Sequence, residues 1–275
     1  MQASETITKN LSFSQAQAFI NLLSDSDERT TKLLAKQMMA FDDASLTLLE
    51  KLANSSENET LLDNWYYISK ISLIEKLQNW KREGDLEEGL FLIARIKNPG
   101  LEINNYDRII DNFTERIKKS ITIESNPDEI MAAIGKVLFE EEGFVGNQLD
   151  YYDLNNNFIH TVIERRAGNP IMLSCLFLMI ARRLELDIEG VAMPGHFIVK
   201  FKNKFYDPFF AGREISREEC ILRAQELRVY WREDYLNPVD DNFVLARCIR
   251  NLITIYKKLN DYDRAADISS LLKLV

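Results

Sequence analysis

From Met1 to Glu83 the sequence holds no glycine and no proline, the two residues that most strongly interrupt regular structure. Helices joined by polar turns are therefore expected in this stretch. Histidine is also scarce. With two histidines, three cysteines and no CxxC or HExxH spacing, the usual zinc ligand sets are missing, so neither a metal nor another cofactor is expected. Cys175, Cys220 and Cys248 stand far apart and cannot all pair, so they read as reduced thiols.

Basic clustering is lacking as well. The net charge is -9, and the 34 lysines and arginines are scattered rather than striped along one face, which argues against nucleic acid as a partner. The longest nearly apolar run, Ile171 to Ala181, is far short of the roughly 20 residues that cross a bilayer, so no membrane partner is expected. The opening MQASETITKNLSF has neither the basic nor the apolar region of a secretory signal, so the expected location is cytoplasmic.

What is present is enough apolar residue for a sizeable core: 46% of 275 residues. Ser12 or Ser14 can cap a first helix carrying Phe19, Leu22 and Leu23, and Lys32 to Met39 forms a second. Asp42 and Asp43 start a third, and a long fourth runs from about Leu61 to Arg82, ending at Gly84. Asp85 with Glu88 forms a capping-box-like start for the next helix, and Ile103 to Ser120 forms another. Asn126-Pro127-Asp128 opens a helix reaching about Glu142.

From Gly143 the composition changes. Six of the ten glycines fall between Gly143 and Gly212, which marks a turn-rich α+β segment after an all-helical one. A polar aromatic loop, Asp150-Tyr151-Tyr152-Asp153, precedes a helix from Asn156 to Arg166. A helix from Pro170 to Leu184, apolar almost all round, should be central and covered on several sides. HFIVKF and FYD then read as a hairpin about Lys202-Asn203-Lys204. Ser216 and Glu219 box the start of a helix to about Leu227, and two final helices flank the Asn260-Asp261-Tyr262 turn, a layout like one tetratricopeptide pair. The expected division is a helical domain over 1–123, an α+β core over 124–228 and a helical hairpin over 229–275.

The hairpin register decides the chemistry. With a two-residue loop at Lys202-Asn203, Phe201 pairs with Lys204 and Ile198 with Asp207, making Asp207 a diagonal same-face neighbour of His196. With a three-residue loop the two face opposite sides unless a bulge intervenes. A carboxylate beside an imidazole fixes its tautomer and supports its cation, as a general base requires. The first turn of the Pro170 helix supplies free backbone N–H groups suited to a thiolate or oxyanion. Cys175, the only cysteine on that helix, lies over a turn from its start and is rotated about 140° from position 170. It reads as a core residue among Leu173, Leu176, Leu178 and Met179.

The runs DYYDLNNNFIHTVIERRAGNPIMLSCLFLMIARRLEL, EGVAMPGHFIVKF and FYDPFFAGREISREEC closely resemble the bacterial SirB-type proteins of the transglutaminase-like superfamily. The resemblance covers about residues 85 to 275, with 1 to 84 matched loosely. It implies a papain-like core of a central helix on an antiparallel sheet, with His196 and Asp207 as the family's histidine and aspartate. The Gly-x-Cys run that opens the helix in active members is here Gly168-Asn169-Pro170, so the nucleophile position carries proline. Three functions follow: a non-catalytic module binding a protein or peptide, a cysteine-dependent amide hydrolase or acyl transferase using Cys175, His196 and Asp207, or a scaffold acting through its helical faces. Asn147, Asp150, Tyr151, Tyr152, Asn169 and Pro170 are expected to line the cleft.

Overall fold

The computed structural model describes residues 9–122 and 124–275. The residues before Lys9, within which a secretory signal was sought, and Ile123, the expected end of the first domain, lie outside them. The described chain forms two compact units, one of residues up to 84 together with 91–104, the other of 85–90 together with 105–273.

The first unit is helical. α1 (Phe13–Ser24), α2 (Glu28–Met38), α3 (Asp43–Asn54) and α4 (Glu59–Glu83) start at Ser12, Asp27, Asp42 and Asn58, whose side chains each accept a backbone N–H of the first turn. Ser12 completes a capping box with Gln15, while the second helix begins at Glu28, earlier than its apolar pattern suggested. Ala16, Phe19, Leu23, Leu34, Leu49 and Trp65 belong to the buried cluster that holds the four together. Glu50 accepts the Gly100 N–H at 2.7 Å, and Arg95 pairs with Asp43.

The second unit is α+β. α5 (Leu86–Ala94) contributes its first residues and α6 (Ile103–Lys118) most of its length. α7 (Pro127–Gly135) opens on the Asn126–Glu129 capping box with Pro127 at its first turn. It does not run on as an α-helix to Glu142: residues Lys136–Glu141 form a π-helical segment, closed by Glu142 N–H on the Val137 carbonyl. That wider turn brings Glu141 and Glu142 to Arg116, and Glu142 also to Arg166.

β1 (Val145–Gly146) pairs in parallel with β2 (Ala167–Gly168), on either side of a 3₁₀ turn (Leu154–Asn157) and α8 (Ile159–Arg165). The helix expected from Asn156 thus starts three residues later, after Phe158. α9 (Pro170–Arg183) is buried on every residue from Pro170 to Ala181, as its all-round apolarity requires. It packs on β3 (Ile188–Val191) and β4 (Ile198–Phe201) of a five-stranded antiparallel sheet. β5 (Lys204–Asp207), β6 (Arg213–Ile215) and β7 (Pro238–Val239) complete the order β6-β5-β4-β3-β7. α10 (Arg217–Glu226) follows the Ser216–Glu219 capping box, and α11 (Asp241–Lys258) and α12 (Tyr262–Leu271) pack against each other as a hairpin. Among the described residues no helix is long and apolar enough to cross a membrane.

Close backbone approach ties β1 to the segment after β5. A Cβ on Gly146 would collide with the Phe209 carbonyl oxygen and lie 2.6 Å from a ring carbon of the same residue. Gly146→Ala should therefore cost about 1–3 kcal/mol and lower the thermal midpoint by several degrees. Gly135→Ala is the control, because its Cβ meets nothing nearer than a Phe139 ring carbon at 3.8 Å and helix propensity favours alanine. Thermal unfolding followed by circular dichroism separates the two; equal midpoints would refute the close-approach argument.

Candidate functional site

The β4–β5 hairpin sets the site. Its pairs are Phe201 with Lys204, Lys200 with Phe205 and Val199 with Tyr206, so the loop is the two residues Lys202 and Asn203. Lys202 takes the left-handed conformation that so short a turn demands (φ 55°). Extending this register by one step sets Asp207 opposite Ile198, and alternation then places His196 and Asp207 on one face. His196 itself precedes β4, held by a turn in which its N–H donates to the Met193 carbonyl at 3.2 Å and Gly195 supplies the positive φ of 66°.

The two side chains meet. His196 Nε2 lies 2.8 Å from Asp207 Oδ2, and the carboxylate is wholly buried. The same oxygen accepts Arg223 Nη1 at 2.8 Å, while Oδ1 accepts the Phe209 N–H at 3.1 Å. A buried carboxylate is costly without such compensation, and the guanidinium, imidazole and amide together satisfy it. Phe209 and Phe210 wall the imidazole, with ring centroids 6.0 and 6.3 Å from it, and the Arg223 guanidinium lies 5.0 Å from the Phe210 centroid. The other ring nitrogen, Nδ1, has no hydrogen-bond partner among the described residues. It is the ring atom left to donate or accept a further hydrogen bond.

The start of α9 is fixed by a chain of buried asparagines. Asn169 caps the helix through Met172 N–H at 2.9 Å and donates to Asn157 Oδ1 at 2.7 Å. Asn156, fully buried, accepts from Asn147 at 3.0 Å and donates to the carbonyls of Asp150 and Tyr151 at 2.8 and 3.3 Å. These bonds fasten the 147–152 loop beside the helix start. Tyr151 then packs edge-on against Phe209, centroids 6.1 Å apart, and against Tyr152, over whose ring Lys258 Nζ lies 3.0 Å from the centroid. Asp150 and Tyr152 are exposed, whereas Asn169 and Pro170 are buried.

Cys175 is elsewhere on the helix. Its thiol is fully buried, its sulfur partner is Cys248, and burial pushes it well above the ordinary thiol range. No hydrogen bond joins it to His196 among the described residues. The α9 residue that reaches the histidine's chain segment is Ser174, one turn beyond Pro170, whose Oγ donates to the Phe197 carbonyl at 3.3 Å.

Sequence reasoning did not single out Arg223, Asn156, Asn157, Ser174 or the Phe209-Phe210 pair. The signals available were the Asn155-Asn156-Asn157 run and the aromatic doublet immediately after Asp207. Arg223 lies sixteen residues from its partner on an exposed-looking helix and gave none. Arg223→Met, which keeps the stem and removes the charge, should destabilise the fold by about 2–3 kcal/mol, with Arg223→Lys recovering part of the loss. Chemical denaturation measures both; a methionine variant as stable as the parent would show that Asp207 does not depend on this arginine.

Residues 104–250 match the model of the transglutaminase-like superfamily. The UPF0162 protein of Xylella fastidiosa (strain 9a5c) is 36% identical over 195 residues, spanning 67% of this chain and 69% of its own length. The UPF0162 protein of Vibrio cholerae serotype O1 is 24% identical over 59% of this chain and 63% of its own. F-box only protein 21 of Homo sapiens is 31% identical over 232 residues, 70% of this chain and 36% of that protein. No solved structure matches this chain. With the family model spanning more than half of the residues and a bacterial relative matched over most of its length, the chain belongs to the transglutaminase-like superfamily, among the UPF0162 proteins.

Proposed function

We propose that this protein is a non-catalytic transglutaminase-like module that holds a protein or peptide partner at the His196 site. The observation that carries the reading is Pro170 at the first position of α9, where a thiol acyl transferase of this superfamily needs cysteine. Without a thiol there, no acyl-enzyme forms. Cys175 is a poor substitute, because a buried thiol with a raised pKa holds little thiolate and offers no path to a substrate.

What remains suits recognition. The imidazole offers Nδ1 as a donor or acceptor, with Asp207 and Arg223 fixing its ring. Beside it stands the exposed ring of Phe210 and, across the buried Phe209, that of Tyr151, apolar and amphipathic surfaces of the kind that anchor a peptide. In this reading residues 124–228 are the binding core, residues 1–123 a helical N-terminal domain, and residues 229–275 a tetratricopeptide-like hairpin.

Three measurements test it. Full-length protein incubated with glutaminyl peptides and a dansylated primary amine should release no ammonia and incorporate no amine, and His196→Ala should change nothing in that assay. On a peptide array, by contrast, His196→Ala should weaken binding about tenfold. Iodoacetamide should leave Cys175 unmodified until the protein is denatured, as read by mass spectrometry. Amide turnover that disappears in His196→Ala, or alkylation of Cys175 in the folded protein, overturns the proposal.

A further inference from the structure

The second unit has five half-buried arginines, and four of them hold a carboxylate: Arg116 with Glu141 and Glu142, Arg166 with Glu142, Arg183 with Glu87, and Arg223 with Asp207. Arg247, on α11, is the fifth. No acidic side chain lies within ion-pair distance of it among the described residues, and its one hydrogen bond is a long one, Nη2 to the Met193 carbonyl at 3.5 Å. A guanidinium carries five N–H donors, so most of its capacity is unspent.

Arg247 sits beside the turn that carries His196. The Met193 carbonyl that Arg247 touches is the same oxygen that takes the His196 N–H at 3.2 Å, so guanidinium and histidine backbone share one acceptor. The Tyr151 phenol lies close enough to feel the arginine's charge, and the Tyr151 ring packs on Phe209, which walls His196. Arg247 therefore lies beside both the Tyr151 phenol and the backbone turn that carries His196. Burial pulls its guanidinium below the ordinary value, and the groups that act on its charge, Tyr151, Cys248 and Arg250, include no carboxylate. A partly desolvated cation without an acidic partner is unfavourable, and pairing with an anion relieves that cost.

We propose that Arg247 is the anion-binding element of the His196 site and receives a carboxylate of the bound peptide. This deepens the peptide-binding reading above and rests on it. A carboxylate is favoured over a phosphate group because one guanidinium balances one negative charge. Of the further cations, Lys258 lies over the Tyr152 ring, Arg223 is bonded to Asp207, and Arg250, three residues along α11, is exposed to solvent where Arg247 is half-buried. Planar, two-pronged pairing between guanidinium and carboxylate also gives direction, so Arg247 would fix which way the peptide runs past His196.

The test uses full-length protein and an array of hexapeptides, each in free-acid and C-terminally amidated form, with Asp/Glu and Asn/Gln versions of every acidic position. Binding of the best peptides should fall at least tenfold when one particular carboxylate is neutralised, by amidation if the C-terminus is recognised or by Asp→Asn or Glu→Gln if a side chain is. In Arg247→Gln the same neutralisation should make no difference, and Arg247→Lys should restore part of the preference; thermal unfolding confirms that each variant is folded. Peptides that bind with no carboxylate dependence, or a dependence undiminished in Arg247→Gln, overturn this inference and leave the peptide-binding reading standing. An array on which nothing binds overturns both.

Discussion

The Asp207 carboxylate is the constraint on which the site depends. It is fully buried, and a lone negative charge in that position would cost several kcal/mol. Three donors from three places share it: His196 just before β4, Arg223 on α10 and the amide of Phe209 in the turn after β5. Meeting that requirement locks the hairpin, the aromatic turn and α10 into one arrangement. The imidazole orientation is thus a by-product of charge satisfaction, and it persists whether or not any bond is ever broken at this site.

A second network, electrically neutral, does the corresponding work at the start of α9. Asn147, Asn156, Asn157 and Asn169 trade side-chain amides with one another and with backbone carbonyls. Neutral amides can be buried without a counter-ion provided each donor and acceptor is used. The helix start is therefore closely packed around Pro170, and the loop bearing Tyr151 is held to the same framework as the helix.

Much of this was legible in the residues, for local reasons. The helix start at Ser216 announces itself by a capping partner three positions on, Ser12 was one of two candidate caps, and the polar Lys202-Asn203-Lys204 turn between alternating runs allowed two registers, of which the two-residue loop is the one formed. The His196–Asp207 pair was readable because both partners lie in one hairpin. Other features lacked a local signature. The π-helical turn at Lys136–Glu141 is selected by arginines at 116 and 166 that lie elsewhere in the chain. The 3₁₀ turn before α8 exists because Asn156 and Asn157 find buried partners that only the folded chain supplies. Arg223 and Arg247 look alike in sequence, and only tertiary placement gives one a carboxylate and leaves the other without.

The turn at Lys202-Asn203 carries a consequence for how this site can change over generations. Side chains alternate along a strand, so whether His196 and Asp207 meet depends on the register that the loop allows. An inserted residue at this exposed tip can be absorbed as a three-residue loop with the strand pairs kept, whereas loss of a single residue leaves a loop too short for the present pairing and shifts the register, carrying Asp207 to the opposite face. Two exposed residues that touch neither partner therefore set a lower limit on the loop: the tip can grow, but it cannot shrink by one without parting His196 from Asp207.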